Sequence, residues 1–191
     1  DITGNETITN TDWQYTTFFD SSLKKRVLIL TNASQPLYKW TGSGNIQKVG
    51  GNPPVCKYLI EYKGYLILAN IFDTVDTNLP SNIRWCSIGE YENWDTGDSG
   101  EASLGEVDEI TGLAKVGDYV LIFKERSVFL LSLTSGVSVF TAGKLTDNLG
   151  CIVPNSIVSI NDKVFFFGSD YKFYVTNGVN VNEISQPIDN I

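Results

Sequence analysis

Residues 119–123, Tyr-Val-Leu-Ile-Phe, are apolar without a break. Gly117-Asp118 precedes them, and the polar group Lys124-Glu125-Arg126-Ser127 follows. The run is too short for a stable helix, and its β-branched and aromatic residues favour an extended chain. It does not alternate, which predicts a strand buried on both faces. Apolar runs at 110–116 and 128–133 flank it and complete an antiparallel meander. A fourth run, 137–143, alternates more and predicts an outer edge strand.

The pattern returns downstream. Residues 157–167 (IVSINDKVFFF) superpose on residues 113–123 (LAKVGDYVLIF), with a turn ending in Asp between two apolar runs and an offset of 44 residues. Units of four strands repeating every 40 to 50 residues or so characterise β-propeller blades, because one such sheet cannot cover both of its own faces. The upstream chain divides the same way. Strands are predicted at 13–19, 26–30, 36–40 and 46–49, then at 57–62, 65–71 and 83–87. The aromatic strand into a glycine turn at 38–42 matches the one at 173–178. The predicted fold is all-β and propeller-like. It has about four blades, over residues 7–50, 55–106, 107–147 and 152–191, forming a ring or an open arc within one domain, 1–191. Val120, Ile122, Val164 and Phe166 are the predicted core. A loop is expected at 73–81, around Pro80, and the acidic, glycine-rich segment 89–106 reads as the longest irregular stretch.

Composition narrows the function. An apolar fraction of 42% supports a real core and excludes disorder. The net charge of −8 argues against a nucleic-acid-binding surface. The chain has no histidine, which removes imidazole bases, Ser-His-Asp and Cys-His catalysis and His-ligated metals. No run reaches the length of a membrane helix. The chain begins at Asp1 and contains no Met, as expected of a processed product or an excised piece. Cys56, Cys86 and Cys151 lie far apart and beside apolar runs, which predicts small buried hydrophobes rather than a zinc site. Their odd number fits a reducing compartment.

Few residues invite chemistry. Asp73/Asp76 and Asp95/Asp98 are the candidate carboxylate pairs, as a glycosidase would need. The turn-rich context predicts solvated loop acids instead, so that removing Asp98 should cost about 0.5 kcal/mol or less. Residues 95–100 (DTGDSG) lack the ligand spacing and closing Glu of a calcium loop. Residues 87–94 share the Ser and Trp of the sialidase Asp box but carry Gly89 where the box has Asp. Trp94-Asp95 is an isolated WD pair with no Gly-His partner. Trp40 and Trp85 fall on third strands and predict packing between blades. Trp13 is a further aromatic candidate for a sugar or a partner. Trp94, in the long loop, is the best exposed one. No catalytic, cofactor or metal residues are expected.

One succession of motifs carries a resemblance. It runs through Ile83-Arg84-Trp85-Cys86-Ser87, Tyr91-Glu92-Asn93-Trp94-Asp95 and Glu109-Ile110-Thr111-Gly112-Leu113. It continues with Leu121-Ile122-Phe123-Lys124-Glu125-Arg126-Ser127-Val128, residues 149–156 (LGCIVPNS) and residues 164–168 (VFFFG). Over residues 58–188 or so the chain resembles tailed-bacteriophage virion β-propellers of the tail-nozzle or packaged-DNA-stabilisation type. The resemblance implies a non-enzymatic structural protein of the tail or head–tail junction, located in the virion and assembled in the host cytoplasm. Its expected partners are other virion proteins and further copies in a ring, with DNA passing by unbound and no membrane. Proteins of that kind are longer, so a missing part is expected. The alternative is a carbohydrate-binding or glycoside-processing propeller that recognises a host receptor.

Overall fold

The computed structural model describes residues 3–4, 6–10, 12–72, 78–105, 108–136 and 138–185. The chain divides into two compact units, Asp1–Val107 and Asp108–Ile191. Each holds two four-stranded antiparallel sheets. In the first unit these are β1 (Gln14–Asp20), β2 (Lys25–Thr31), β3 (Tyr38–Trp40) and β4 (Gln47–Lys48), then β5 (Val55–Tyr62), β6 (Tyr65–Phe72), β7 (Asn78–Trp85) and β8 (Gly100–Ser103). The second unit holds β9 (Ile110–Val116), β10 (Tyr119–Lys124), β11 (Val128–Leu133) and β12 (Phe140–Thr146), then β13 (Val158–Ile160), β14 (Lys163–Phe167), β15 (Phe173–Thr176) and β16 (Val181–Glu183). Every sheet is a meander in chain order, and every strand pair is antiparallel. Only a short 3-10 turn, Pro154–Ser156, interrupts the all-β pattern among the described residues.

The repeat has a local cause. Two-residue turns close the first hairpin of three sheets, as the pairs Tyr62↔Tyr65, Val116↔Tyr119 and Ile160↔Lys163 show. Lys63, Gly117 and Asn161 lead these turns at φ of 49°, 52° and 53°. Glycine adopts that left-handed region at no steric cost, and asparagine tolerates it, so the Gly-Asp and Asn-Asp turns are interchangeable.

Within each unit consecutive sheets pack face to face. Phe18, Val27 and Ile29 of the first sheet share a core with Cys56, Leu59, Leu66 and Leu68 of the second. Ala114, Val116, Leu121 and Phe123 of the third sheet share one with Val164, Phe166 and Tyr174 of the fourth. There the Phe123 and Phe166 rings tilt at 5.0 Å between centroids, and Phe166 stacks on Tyr174 at 5.6 Å. Val120, Ile122 and Val164 are 0% exposed and Phe166 is 1% exposed, as their apolar runs require. β6 is buried at every residue but its last.

Three expectations change. Residues 78–81 open β7 rather than closing a loop. Pro80 fits there because it lies opposite a bulge, where Asn70 takes φ 54° and the β6–β7 register shifts. Residues 73–77 lie outside the described residues, and Asp73 and Asp76 with them. The segment 89–106 is not wholly irregular, since β8 completes the second sheet. Its sequence, Gly-Glu-Ala-Ser, has little strand propensity. Gly100 is needed there because a Cβ would stand 2.7 Å from the Trp85 ring. The fourth strand of the third sheet starts at Phe140, three residues late, and is exposed over most of its length, as an edge should be.

Replacing Phe166 with Ala should lower stability by about 3–5 kcal/mol, the cost of emptying a closely packed aromatic site. Urea unfolding measures this, and Phe173→Ala, at a residue 54% exposed, should cost under about 1 kcal/mol in the same assay.

Candidate functional site

Two aspartates shape the loop that leads from β7 to β8. The chain turns back directly after Cys86, where Ser87 N–H donates to the Asn93 carbonyl (2.8 Å) and Gly89 N–H to the Gly64 carbonyl (2.7 Å). Asp98 fastens this turn. Its Oδ1 accepts from Ser87 Oγ (2.7 Å) and Ile88 N–H (2.9 Å). Its Oδ2 accepts from the Tyr65 hydroxyl, and its carbonyl accepts from Trp85 Nε1 (3.0 Å). Burial pushes the Asp98 carboxyl up, but the bonds from Tyr65, Ile88 and Ser87 outweigh it and hold the group below the usual carboxylate range. Burial and the neighbouring carboxylate push the Tyr65 hydroxyl up to about 12. Asp98 is therefore a fastening point and not a solvated loop acid. The sequence shows the aspartate but not the Tyr65 hydroxyl that meets it from β6, 33 residues away.

Asp20 is the second. It caps the β1–β2 turn through Oδ1, which accepts from Ser22 N–H (2.9 Å), Ser22 Oγ (2.6 Å) and Leu23 N–H (2.9 Å). Its Oδ2 accepts from the Tyr91 hydroxyl (2.8 Å), and the Tyr91 ring lies 5.3 Å from that of Phe18. This joins the first sheet to the loop of the second. Burial raises the carboxyl, yet these donors together bring it down to about 2.

An open cleft of about 370 Å³ lies beside this clasp, lined by residues 20–22 and 89–93. Its acidic groups are already engaged. Glu92 Oε1 accepts from Lys39 Nζ (2.8 Å) and Gly50 N–H (2.7 Å), and Glu90 Oε2 from Asn93 Nδ2 (2.8 Å). Asp95 pairs with Arg84 (2.8 Å) on the surface. A glycosidase acid needs a carboxyl held above its ordinary value. Asp20 and Asp98 are both shifted the other way.

Trp94, expected to be exposed, is 2% exposed and belongs to the core of the first unit. The space is made by Gly51, at φ 73°, where a Cβ would stand 1.9 Å from the Glu92 carbonyl oxygen. Trp85 is buried in β7, Trp40 is half-buried in β3, and Trp13 sits edge-on to Tyr38. The four tryptophans form no exposed platform. The three cysteines are free and buried, and burial pushes the Cys56 and Cys86 thiols up to about 12. No group of three His, Cys, Asp or Glu residues that could hold a metal ion exists among the described residues.

The second unit has its own polar centre. Lys124, at the bulged end of β10, is 1% exposed and pairs with Asp108 Oδ1 at 2.8 Å. Asp108 Oδ2 accepts from Arg126 N–H (3.0 Å) and Ser127 Oγ (3.4 Å). Burial raises the Asp108 carboxyl, and Lys124 leads the donors that hold it low. Cys151 N–H donates to the Lys124 carbonyl (2.8 Å), and Thr111 Oγ1 donates to the Cys151 carbonyl (2.6 Å). Gly150 passes so close that a Cβ would stand 2.1 Å from the Lys124 carbonyl oxygen. The sequence reads 124–127 as a polar reversal, and nothing in a single chain marks Lys124 as buried.

No protein-family model matches the chain, and no curated protein matches its sequence.

Asp98→Ala should lower stability by about 2–3 kcal/mol, since it strands buried donors on Tyr65 and Ser87. Thermal or urea unfolding checks this against Asp95→Ala, which should be near neutral as an exposed pair. Acid should loosen the first unit. A carboxyl lowered by folding stabilises fully above its ordinary value near 3.8, and that contribution is lost as pH falls toward about 2. Urea midpoints measured from pH 6 to pH 2 should show the loss, and Asp20→Asn should flatten it.

Proposed function

We propose that this chain is a structural component of a tailed-bacteriophage virion, at the tail or head–tail junction, where it retains or conducts packaged DNA. The reading is carried by where the phage-like motifs fall. Ile110-Thr111-Gly112-Leu113, residues 121–128 and residues 149–156 read as unrelated segments in sequence. In space, Thr111, Lys124, Arg126, Ser127, Gly150 and Cys151 form one hydrogen-bonded joint where the third sheet leads into the fourth. Ser156 extends it, because Phe167 N–H donates to Ser156 Oγ (3.0 Å). Their order and spacing are what this joint demands. A structural role explains such motifs without any catalytic residue.

Charge supports the DNA part of the reading. Affinity for a duplex comes mainly from Lys and Arg that displace phosphate counterions. This chain has 14 of them against 22 acids. Lys24-Lys25-Arg26, its densest basic run, lies where β2 begins. An acidic wall repels phosphate within about 8–10 Å at physiological salt and lets DNA slide past. The carbohydrate alternative loses its best candidates, because Trp94 is core and Asp98 is a fastening point.

Duplex DNA should show no retardation by the purified chain in a gel-shift assay, even at about 20 mM salt, where phosphate contacts are strongest. Tight, salt-sensitive binding would remove the low-friction role. Mass spectrometry of purified particles of the parent phage should contain peptides of this chain, and their absence would remove the virion assignment.

A further inference from the structure

The fourth sheet buries one face and leaves the other open. The register places Val158, Ile160, Phe165, Phe167, Phe173 and Val175 on the open side. Val158 is 47% exposed, Ile160 54% and Phe173 54%, and Tyr171, 77% exposed, adds an edge contact to Phe167. Phe167 and Phe173 stack edge-on at 5.0 Å, so the patch is ordered and apolar. A continuous surface of this kind is unusual on a protein that ends there.

The repeat indicates what covers such a face. Phe165 and Phe167 occupy the positions of Leu121 and Phe123, 44 residues earlier. Leu121 and Phe123 are 0% exposed because the next sheet lies on them with Val164, Phe166 and Tyr174. The first unit obeys the same rule, with Val27 and Ile29 of one sheet against Leu66 and Leu68 of the next. In both units the onward face of a sheet meets the backward face of its successor. The chain carries one other open sheet face of the backward kind, on the first sheet. There Tyr15 is 70% exposed and Phe19 52%, beside half-buried Leu28 and Leu30, while Trp13 covers Tyr38 at its margin.

We infer that the open face of the fourth sheet docks on the open face of the first sheet of a second copy of this chain, head to tail. One face of each kind per chain makes the contact heterologous, so copies add in one direction into a closed ring or an open row. Two four-stranded faces of this size bury a total of roughly 1,000 Å², at the lower edge of specific interfaces. The association is therefore concentration-dependent. The inference rests on the repeat and not on the virion reading, and it is tested without particles, so either can fail alone.

The test is sedimentation of the purified chain at about 1–200 µM, a range suited to an interface of that size. The wild type should grow in mass with concentration. Phe173→Glu on one face and Tyr15→Glu on the other should each reduce the chain to a species that no longer grows, with circular dichroism and melting unchanged. Mixed together, the two variants should form a one-to-one dimer and nothing larger, because each retains the face the other lacks. Ile160→Lys replaces Phe173→Glu if that variant does not fold. A wild type that stays monomeric throughout overturns the inference and leaves the face to another protein. So does growth that ignores either substitution, or a mixture that remains monomeric.

Discussion

A sheet whose central strand is apolar on both sides cannot stand alone in water, and that constraint governs this chain. β10 is buried at every residue after Tyr119 and β6 at every residue before Phe72. Each such strand removes its backbone groups from water through its two neighbours, and its side chains through other sheets on both faces. The chain responds by repetition. It builds the same meander four times and stacks consecutive copies, so each polar feature of the structure is a solution to joining one sheet to the next.

The sequence makes the repetition easy to see and the joints hard. The runs at 65–71 and 119–123 announce buried strands because no polar residue interrupts them, and the turns at 117–118 and 161–162 reveal the period because both need a left-handed residue. The joints use residues whose role depends on distant partners. Asp98 looks like a turn aspartate until Tyr65 and Trp85 are placed beside it. Lys124 looks like part of a solvated reversal until Asp108 arrives from 16 residues upstream. Trp94 looks like an exposed loop tryptophan because burying it requires Gly51, which belongs to the end of the preceding sheet. Local pattern reports which face a strand buries. It does not report which charged group will be drawn inside.

The acidic composition acquires a structural side in this light. Asp20, Asp98 and Asp108 each stand at an end of a strand or in a connection, and each accepts at least three hydrogen bonds. A carboxylate suits these places because its two oxygens satisfy several donors that would otherwise be stranded as the chain turns. Three of the 22 acids are thus committed to folding. The remaining excess of negative charge is free to set the character of the surface, and the two uses do not compete.

The cysteines show the same economy of placement. Thr31 Oγ1 donates to the Cys56 carbonyl at 2.6 Å in the first unit, and Thr111 Oγ1 donates to the Cys151 carbonyl at 2.6 Å in the second. In both cases a buried hydroxyl from one sheet satisfies the backbone where the chain enters its successor. The residue at that entry must accept a hydrogen bond through its carbonyl while its side chain turns into a core already filled by leucine and phenylalanine. A small apolar side chain meets this demand, and a thiol does so without a strong polar requirement of its own. The threonines come from different strands, the end of β2 and the second residue of β9. The two joints have therefore arrived at one chemistry from unequal positions, which argues that the carbonyl at the sheet entry, more than any inherited register, sets what these positions must contain.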